Sequence, residues 1–385
     1  MRGTVEIVGG GIGGLFTGYL LARHGWRVRI NERHSQIREI GAALFVKNNA
    51  ITVLEHVGIS DVVLKTAVHI RRAEIRDHND RLLQRRTLIE GARAFNLPRS
   101  DLVLGLAQAA RSVGVEIVTD ASVRRVSQSG SVVLDSGEVR TADLVIVASG
   151  FNSDFSNQLG IATVSRELAN GATRILVLRT DFEREDITRE WWSGRRRIGV
   201  APASAGLTHA YMSCPQSDMA GIALPVDIDS WGHSFPMLRP FLDKLRNATG
   251  GTRYPYTYVH CRRWSEGCVA LIGDAAHSMP PTLGQGAGCT LMNAYVLSEE
   301  LLNADDVSSA LAAWERKIRH ITDETQKWAL RYDALMSNWP LWLSDVRRGV
   351  IWAFGHVRWL NSRMRIADRV DVRQGARNRD AVPRP

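Results

Sequence analysis

The chain is poor in the residues that would mark a disulfide scaffold, a metal centre or a membrane span. Its 385 residues hold four cysteines, Cys214, Cys261, Cys268 and Cys289. None stands in a C-x-x-C pair or beside histidines at metal-ligand intervals, which argues against a metal site or a disulfide framework and leaves reduced, packed thiols as the expectation. Lysine is scarce too: five against 44 arginines, for a formal net charge of +9. The arginines are scattered, and no helix-turn-helix, zinc finger or RNA-binding aromatic motif accompanies them, so no nucleic acid partner is expected. An anionic small substrate stays compatible with that charge. No apolar run reaches the roughly 20 residues that a spanning helix needs. The opening MRGTVEIVGGG runs from a strand into a glycine loop, without the charged and apolar regions of a signal peptide. The expectation is a cytoplasmic protein.

With 44% apolar and 23% charged residues the chain is an ordinary globular one. Its length exceeds the roughly 250–300 residues over which a single core keeps growing, so two subdomains are expected. Val5 to Val8 reads as a strand, Leu15 to His24 as a helix ended by Gly25, and Arg27 to Ile30 as a second strand. Val115–Val118, Ser131–Leu134 and Leu144–Val147 supply further strands, the last a continuous apolar run of the doubly buried kind. From Thr173 the spacing changes to that of an antiparallel sheet: Arg174–Leu178, Ile198–Ala201, His209–Ser213 and Tyr256–Cys261. Val269–Ile272 returns to the buried type and is followed by a loop rich in glycine and proline. Helices are expected over Cys289–Leu302 and Ser308–Met336. The tail holds Trp339, Trp342, Trp352 and Trp359 among arginines, and reads as a helix packing its tryptophans on the body, with a disordered end from Asp371.

Gly9-x-Gly11-x-x-Gly14, with Gly13 inside it, follows a strand and opens a helix. In that context the glycines allow a tight turn, close approach to a pyrophosphate and close helix–strand packing, with the diphosphate on the helix N-terminus. Glu32, eighteen positions beyond Gly14 and followed by Arg33, ends the second strand where a carboxylate can accept hydrogen bonds from an adenosine ribose. By itself this motif does not separate NAD from FAD.

A second constellation does. Val269-Ala-Leu-Ile runs into Gly273-Asp274-Ala-Ala-His277, then Pro280-Pro281 and Gly284-Gln285-Gly286-Ala287-Gly288. Here the sequence resembles the FAD-dependent aromatic monooxygenases of the p-hydroxybenzoate hydroxylase class. The resemblance implies an α/β fold with a Rossmann-like FAD-binding domain of the glutathione-reductase type, an inserted antiparallel-sheet substrate domain and C-terminal helices. The FAD-binding parts would be residues 1–70, 99–165 and 265–336, the substrate parts 71–98 and 166–264, and the tail 337–385. It further implies that Asp274 meets the ribityl chain and that the Gly284–Gly288 loop presents N–H groups to the pyrimidine end of the flavin. Arg99, in Pro98-Arg99-Ser-Asp-Leu102, matches the family's Arg-x-x-Leu element, and Arg38 with Gly41-Ala42 matches the segment after the second strand. His277 is read as structural, and no metal is implied.

One departure stands in the middle motif, Gly-Ala-Asp-Gly-x-x-Ser in the family. The chain reads Val147-Ala148-Ser149-Gly150-Phe151-Asn152-Ser153, with Ser149 for the acid and Ser156 where a basic residue often closes the motif. A hydroxyl keeps a hydrogen bond but not the charge, so FAD binding is expected to persist while the reductive step is open. Arg197, Tyr211 and Trp314–Asp323 resemble pyridine-ring-opening oxygenases of the same superfamily, in which an arginine and a tyrosine of the antiparallel sheet contact substrate. Tyr254 or Tyr256 would be a further pocket tyrosine. Such an arginine could grip a ring carboxylate bidentately. Alternatively, Arg195–Arg197 form a solvated basic turn and Tyr211 lies in the core.

The activity implied is hydroxylation, or ring opening, of a hydroxylated aromatic or pyridine carboxylic acid. NADH or NADPH would reduce FAD, which then activates oxygen at its C4a. The chain would be a monomer or homodimer without membrane association. An oxidase, halogenase or isomerase, or a non-catalytic FAD-binding protein, is the alternative that Ser149 keeps open.

Overall fold

A computed structural model describes residues 2–371 apart from 38–40, 89–91, 152, 181–185, 247, 249–250 and 338–340. Arg38, Asn152, Trp339 and the tail beyond residue 371 lie outside the described residues.

Strand Thr4–Val8 is buried along its length and leads into helix Ile12–Arg23, which buries every residue from Ile12 to Leu21. The helix ends at His24, and Gly25 takes a φ of +84°, a conformation that reverses the chain at little cost only for glycine. Arg27–Asn31 returns parallel to the first strand, pairing Val28 with Val5 and Ile30 with Ile7. Leu144–Val147 pairs in parallel on the other side, Val147 beside Val8. The full order is Ser265–Glu266, Val269–Leu271, Leu144–Val147, Thr4–Val8, Arg27–Asn31, Glu116–Val118, and Ser265–Glu266 alone runs antiparallel. The chain leaves Thr4–Val8 toward one edge and returns on the other. The resulting crevice, at the carboxyl ends of Thr4–Val8 and Leu144–Val147, is where open α/β sheets take their ligands.

The second sheet has seven strands, in the order Thr252–Cys261, Ala162–Leu178, Leu207–Pro215, Arg196–Pro202, Ile187–Ser193, Arg72–Asp77 and Leu82–Thr87. All pairings are antiparallel except Ile187–Ser193 with Arg72–Asp77. Two-residue alternation divides its faces. Ile175, Trp191, Ile198 and Met212 form a core with Trp231, Phe235 and Phe241 of the covering helices. The opposite face carries Arg174, Glu190, Trp192, Arg197, Tyr211 and Ser213. Register sets these in two rows, Glu190, Gly199, Tyr211 and Arg174 in one and Trp192, Arg197 and Ser213 in the other.

A small sheet of Ala43–Lys47, Ala94–Pro98 and Val68–His69 pairs Ala43 with Pro98, so Lys47 and Arg99 leave opposite ends of adjacent strands. Helices Gly286–Asn303 and Val307–Ser337 pack against the parallel sheet's helices. Three further helices follow: Ser344–His356, Arg358–Met364 and Ile366–Arg369. Here one expectation fails. Trp342, Trp352 and Trp359 are 82%, 54% and 59% exposed, so the tail does not bury its described tryptophans. It docks instead through Ile351, packed on Trp192, and Arg347, which donates to Gly194 O at 2.6 Å. Among the described residues no helix is long and apolar enough to cross a membrane.

Candidate functional site

The glycine loop lies in the crevice between the two strand ends. Gly9 has a φ of +103°, and a Cβ there would stand 2.6 Å from Ala148 O. A Cβ on Gly14 would stand 2.0 Å from Gly9 O, so neither position admits a side chain. Gly11 is the helix N-cap in extended backbone. Glu32 is fixed at the loop: its Oε2 accepts from Gly10 N at 2.8 Å and its Oε1 from His34 N at 2.9 Å. Arg33 beside it is exposed.

Two helix N-termini meet here. A Cβ on Gly13, in the first turn of Ile12–Arg23, would lie 3.1 Å from Cγ2 of Thr290, in the first turns of Gly286–Asn303. Gly273, with a φ of +67°, is within reach of the same threonine. Neither helix has a side-chain cap or an acidic residue in its first turn. Both positive helix ends are therefore left for an anion such as a diphosphate. Ser149 lies against the loop, its Cα 3.0 Å from a Cβ on Gly9. Its hydroxyl is buried with no protein partner. A buried donor left unmet is costly, and an oxygen-rich group in the crevice would satisfy it. The residues present thus fit the diphosphate and ribose of a dinucleotide.

Asp274 opens the short helix after Gly273. Its side chain is exposed by surface area, yet burial is the largest influence on its carboxyl and pushes it up. Arg99 and Arg174 face it and oppose that rise. Arg99 is placed by its own N–H, which donates to Ala42 O at 3.1 Å. Arg174 comes from the second sheet, so these three side chains join the crevice to that sheet's polar face.

On that face Arg197 is only 4% exposed, which excludes the solvated-turn reading. Its guanidinium is already engaged. Nη1 donates to Glu190 Oε1 at 3.1 Å, and Nη2 to Ser213 Oγ at 3.2 Å and Tyr256 Oη at 3.3 Å. Trp192 lies under the same guanidinium, 5.8 Å away, and its Nε1 donates to Glu190 Oε1 at 2.7 Å. Tyr211 stands in the same row as Glu190, and burial followed by that carboxylate drives its hydroxyl well above the usual range. The Tyr211 ring lies across Gly199, where a Cβ would stand 1.8 Å from Cε1. Tyr256 is buried and donates to Ser213 at 2.9 Å, whereas Tyr254 is 43% exposed. His209 shares this face; burial, reinforced by Arg174, holds it down at about 3, and its Nε2 has no protein partner.

Behind the glycine-proline loop, Gly284 takes a φ of +59°, with Lys47 Cε 3.4 Å from its Cβ position. Lys47 Nζ donates to Leu283 O. Gln285 is buried, its side chain held by Asn49 and Asp368, while Gly286 and Ala287 are half-buried. His277 is buried against Trp264, with Nε2 2.9 Å from Asn293 Nδ2. That is a packed residue, as the sequence reading has it. The structure therefore brings Gly9, Gly13, Gly14, Glu32, Gly273, Asp274 and Arg99 to one crevice, and Arg197, Tyr211 and Tyr256 to one face. Sequence reasoning missed Glu190, Arg174, His209 and Lys47. Alternation of Arg174 and His209 with apolar neighbours was the available signal for those two.

A family model described as FAD binding domain matches residues 2–319. A Rhodococcus erythropolis protein proposed as a 2-heptyl-3-hydroxy-4(1H)-quinolone synthase is 34% identical, covering 95% of this chain and 96% of that protein. The 2-heptyl-3-hydroxy-4(1H)-quinolone synthase of Mycobacteroides abscessus is 32% identical, covering 86% and 89%. Among solved structures, tetrameric 2-methyl-3-hydroxypyridine-5-carboxylic acid oxygenase superposes with a TM-score of 0.83 at 30% identity, covering 96% of each chain.

Proposed function

The chain belongs to the FAD-binding-domain family as an FAD-dependent monooxygenase, and from that premise we propose that it hydroxylates a neutral N-heteroaromatic ring of the 4(1H)-quinolone type. The observation that carries this reading is the pairing of Arg197 with Glu190. An arginine whose donors are met by a carboxylate, a serine and a tyrosine offers no free fork to a substrate carboxylate. Beside Arg174, the face offers neutral groups: the Tyr211 ring, and His209 with an unmet nitrogen suited to a ring N–H or carbonyl. Bound FAD supplies hydride acceptance from NAD(P)H and the activation of oxygen. The protein's share is to hold the diphosphate on two helix ends, to place the ring beneath Tyr211, and to keep water away.

A ring carboxylic acid, the substrate class of the pyridine-acid oxygenase, is the second reading. Arg174 favours it: burial pushes its guanidinium down, and a substrate carboxylate would add to the support that Asp274 gives it. In either reading the FAD-binding part is residues 1–70, 99–165 and 265–336, and the substrate part 71–98 and 166–264.

The test is NADH and NADPH oxidation with oxygen uptake by the purified flavoprotein, against 2-alkyl-4(1H)-quinolones and hydroxylated pyridine or benzene carboxylic acids. Stimulation by a quinolone with an oxygenated product is the expected result. Stimulation by an acid alone overturns the proposal in favour of the second reading. Bound flavin whose reduction no ring accelerates overturns both and leaves an oxidase, halogenase or isomerase, as Ser149 would then suggest.

A further inference from the structure

The loop Gly284–Gly288 is held from behind by a residue far along the chain. Asp368, in the short helix Ile366–Arg369, is 4% exposed, and its Oδ1 accepts from Gln285 Nε2 at 2.5 Å. Asn49 Nδ2 donates to Gln285 Oε1 at 3.2 Å, and a Cβ on Gly288 would stand 2.8 Å from the same oxygen, so the glutamine amide occupies the space that a side chain at position 288 would need. On the other flank Lys47 holds the Leu283 carbonyl. The loop is thus gripped on both sides of Gly284.

The grip depends on charge. Lys47 and Arg86 are half-buried cations: burial pushes Lys47 down and Arg86 to about 10. The carboxylate that acts on both is Asp368, with Arg365 Nε 3.8 Å from its Oδ2. Removing one member of a buried ionic set strands the rest in a medium that solvates them poorly.

We propose that Asp368 is a positioning residue for the flavin, which through Gln285 holds the Gly284–Gly288 loop so that the N–H groups opening helix Gly286–Asn303 stay aligned on bound FAD. This rests on the reading of that loop as a flavin contact. Nothing in the sequence marks the residue, because it lies 83 positions beyond its partner.

The test uses full-length holoprotein and four variants: Asp368→Asn, Asp368→Glu, Gln285→Met and Gly284→Val. The readouts are FAD affinity of the apoprotein by fluorescence, the visible circular dichroism and midpoint potential of the flavin, and amide exchange over residues 281–289. Asp368→Asn and Gln285→Met should each weaken FAD about tenfold, as expected for one charge-assisted hydrogen bond. They should also speed exchange in the loop and lower the flavin potential, with Asp368→Glu partly restoring all three. Gln285→Met leaves the cations paired, so it carries the test alone if Asp368→Asn does not fold. Should Gly284→Val disturb the flavin while Asp368→Asn and Gln285→Met do not, the positioning role is wrong. Should Gly284→Val also leave the flavin untouched, the loop is no flavin contact and the underlying reading falls with it.

Discussion

Glu190→Gln separates the two substrate readings by giving Arg197 back its charge. The glutamine keeps an oxygen where Trp192 Nε1 and Arg197 Nη1 now donate, at 2.7 and 3.1 Å, so the arginine should stay in place. What changes is that a guanidinium 4% exposed loses the carboxylate it hydrogen-bonds, with Asp333 left as the other carboxylate that acts on it. A ring carboxylate could then replace the lost one through a charge-assisted hydrogen bond worth about 1.5–3 kcal/mol, or about 10–100-fold in affinity. Breaking a fully buried pair costs about 3–5 kcal/mol; the Glu190 side chain is 23% exposed, so a loss of about 1–3 kcal/mol in stability is expected. Both quantities are measurable on one preparation. The binding assay is titration of the flavin absorbance with a 4(1H)-quinolone and with a hydroxypyridine carboxylic acid, on wild type and Glu190→Gln, beside a urea melt. The acid should bind the variant at least tenfold more tightly than wild type, while the quinolone should change little. If wild type already binds the acid tightly and the substitution alters nothing, Arg197 reaches ligand carboxylates in spite of Glu190, and the reasoning fails.

Ser149→Ala removes a buried hydroxyl that has no protein partner, so the apoprotein should melt no lower than wild type, whereas FAD affinity should drop about five- to thirtyfold, the worth of about 1–2 kcal/mol, by fluorescence titration. Gly199→Ala places a Cβ 1.8 Å from the Tyr211 ring and must expel it; the yellow holoprotein should form normally, with KM for the ring substrate raised and flavin content unchanged. Burial holds the His277 imidazole down at about 4 against the usual 6.5. The unfolded chain therefore takes up a proton in that interval before the folded one does. Stability from this group is complete above pH 6.5 and is lost as pH falls through 4, by about 3 kcal/mol in all. Urea melts across that range should show a shallower acid slope for His277→Gln, and an unchanged slope would refute the assignment.

The parts legible in the sequence are those that backbone geometry dictates over a few residues. Gly9, Gly14 and Gly273 sit where a side chain would strike backbone or force a left-handed φ, and such positions announce themselves through glycine spacing. The doubly buried strands show as apolar runs because both of their faces are covered. Strands Arg72–Asp77 and Leu82–Thr87 did not show, because RAEIRD and LLQRRT carry charge on both faces. Glu74 is buried there against arginines of three strands, Arg72 and Arg76, Arg85, and Arg189, the last of them distant in sequence. The state of Arg197 was hidden for the same reason. Its identity as a pocket residue follows from a local motif, but its neutralisation by Glu190 follows from hairpin register, which places Trp192 opposite Arg197. The tail misled because tryptophan is usually worth burying, and here Arg347 and Ile351 take the contact instead.

The strand order also governs when this protein can exist at all during its own synthesis. Thr4–Val8 waits for Leu144–Val147 to emerge before its second edge is covered, and that strand in turn waits for Val269–Leu271. Arg72–Asp77 has no partner on its inner edge until Ile187–Ser193 arrives, more than a hundred residues later. At about 5–20 residues per second a growing chain carries those open strand edges for several seconds or longer. Neither sheet closes on an N-terminal fragment, so the two halves of the enzyme must mature together, late, and under whatever protection the cell gives to nascent chains.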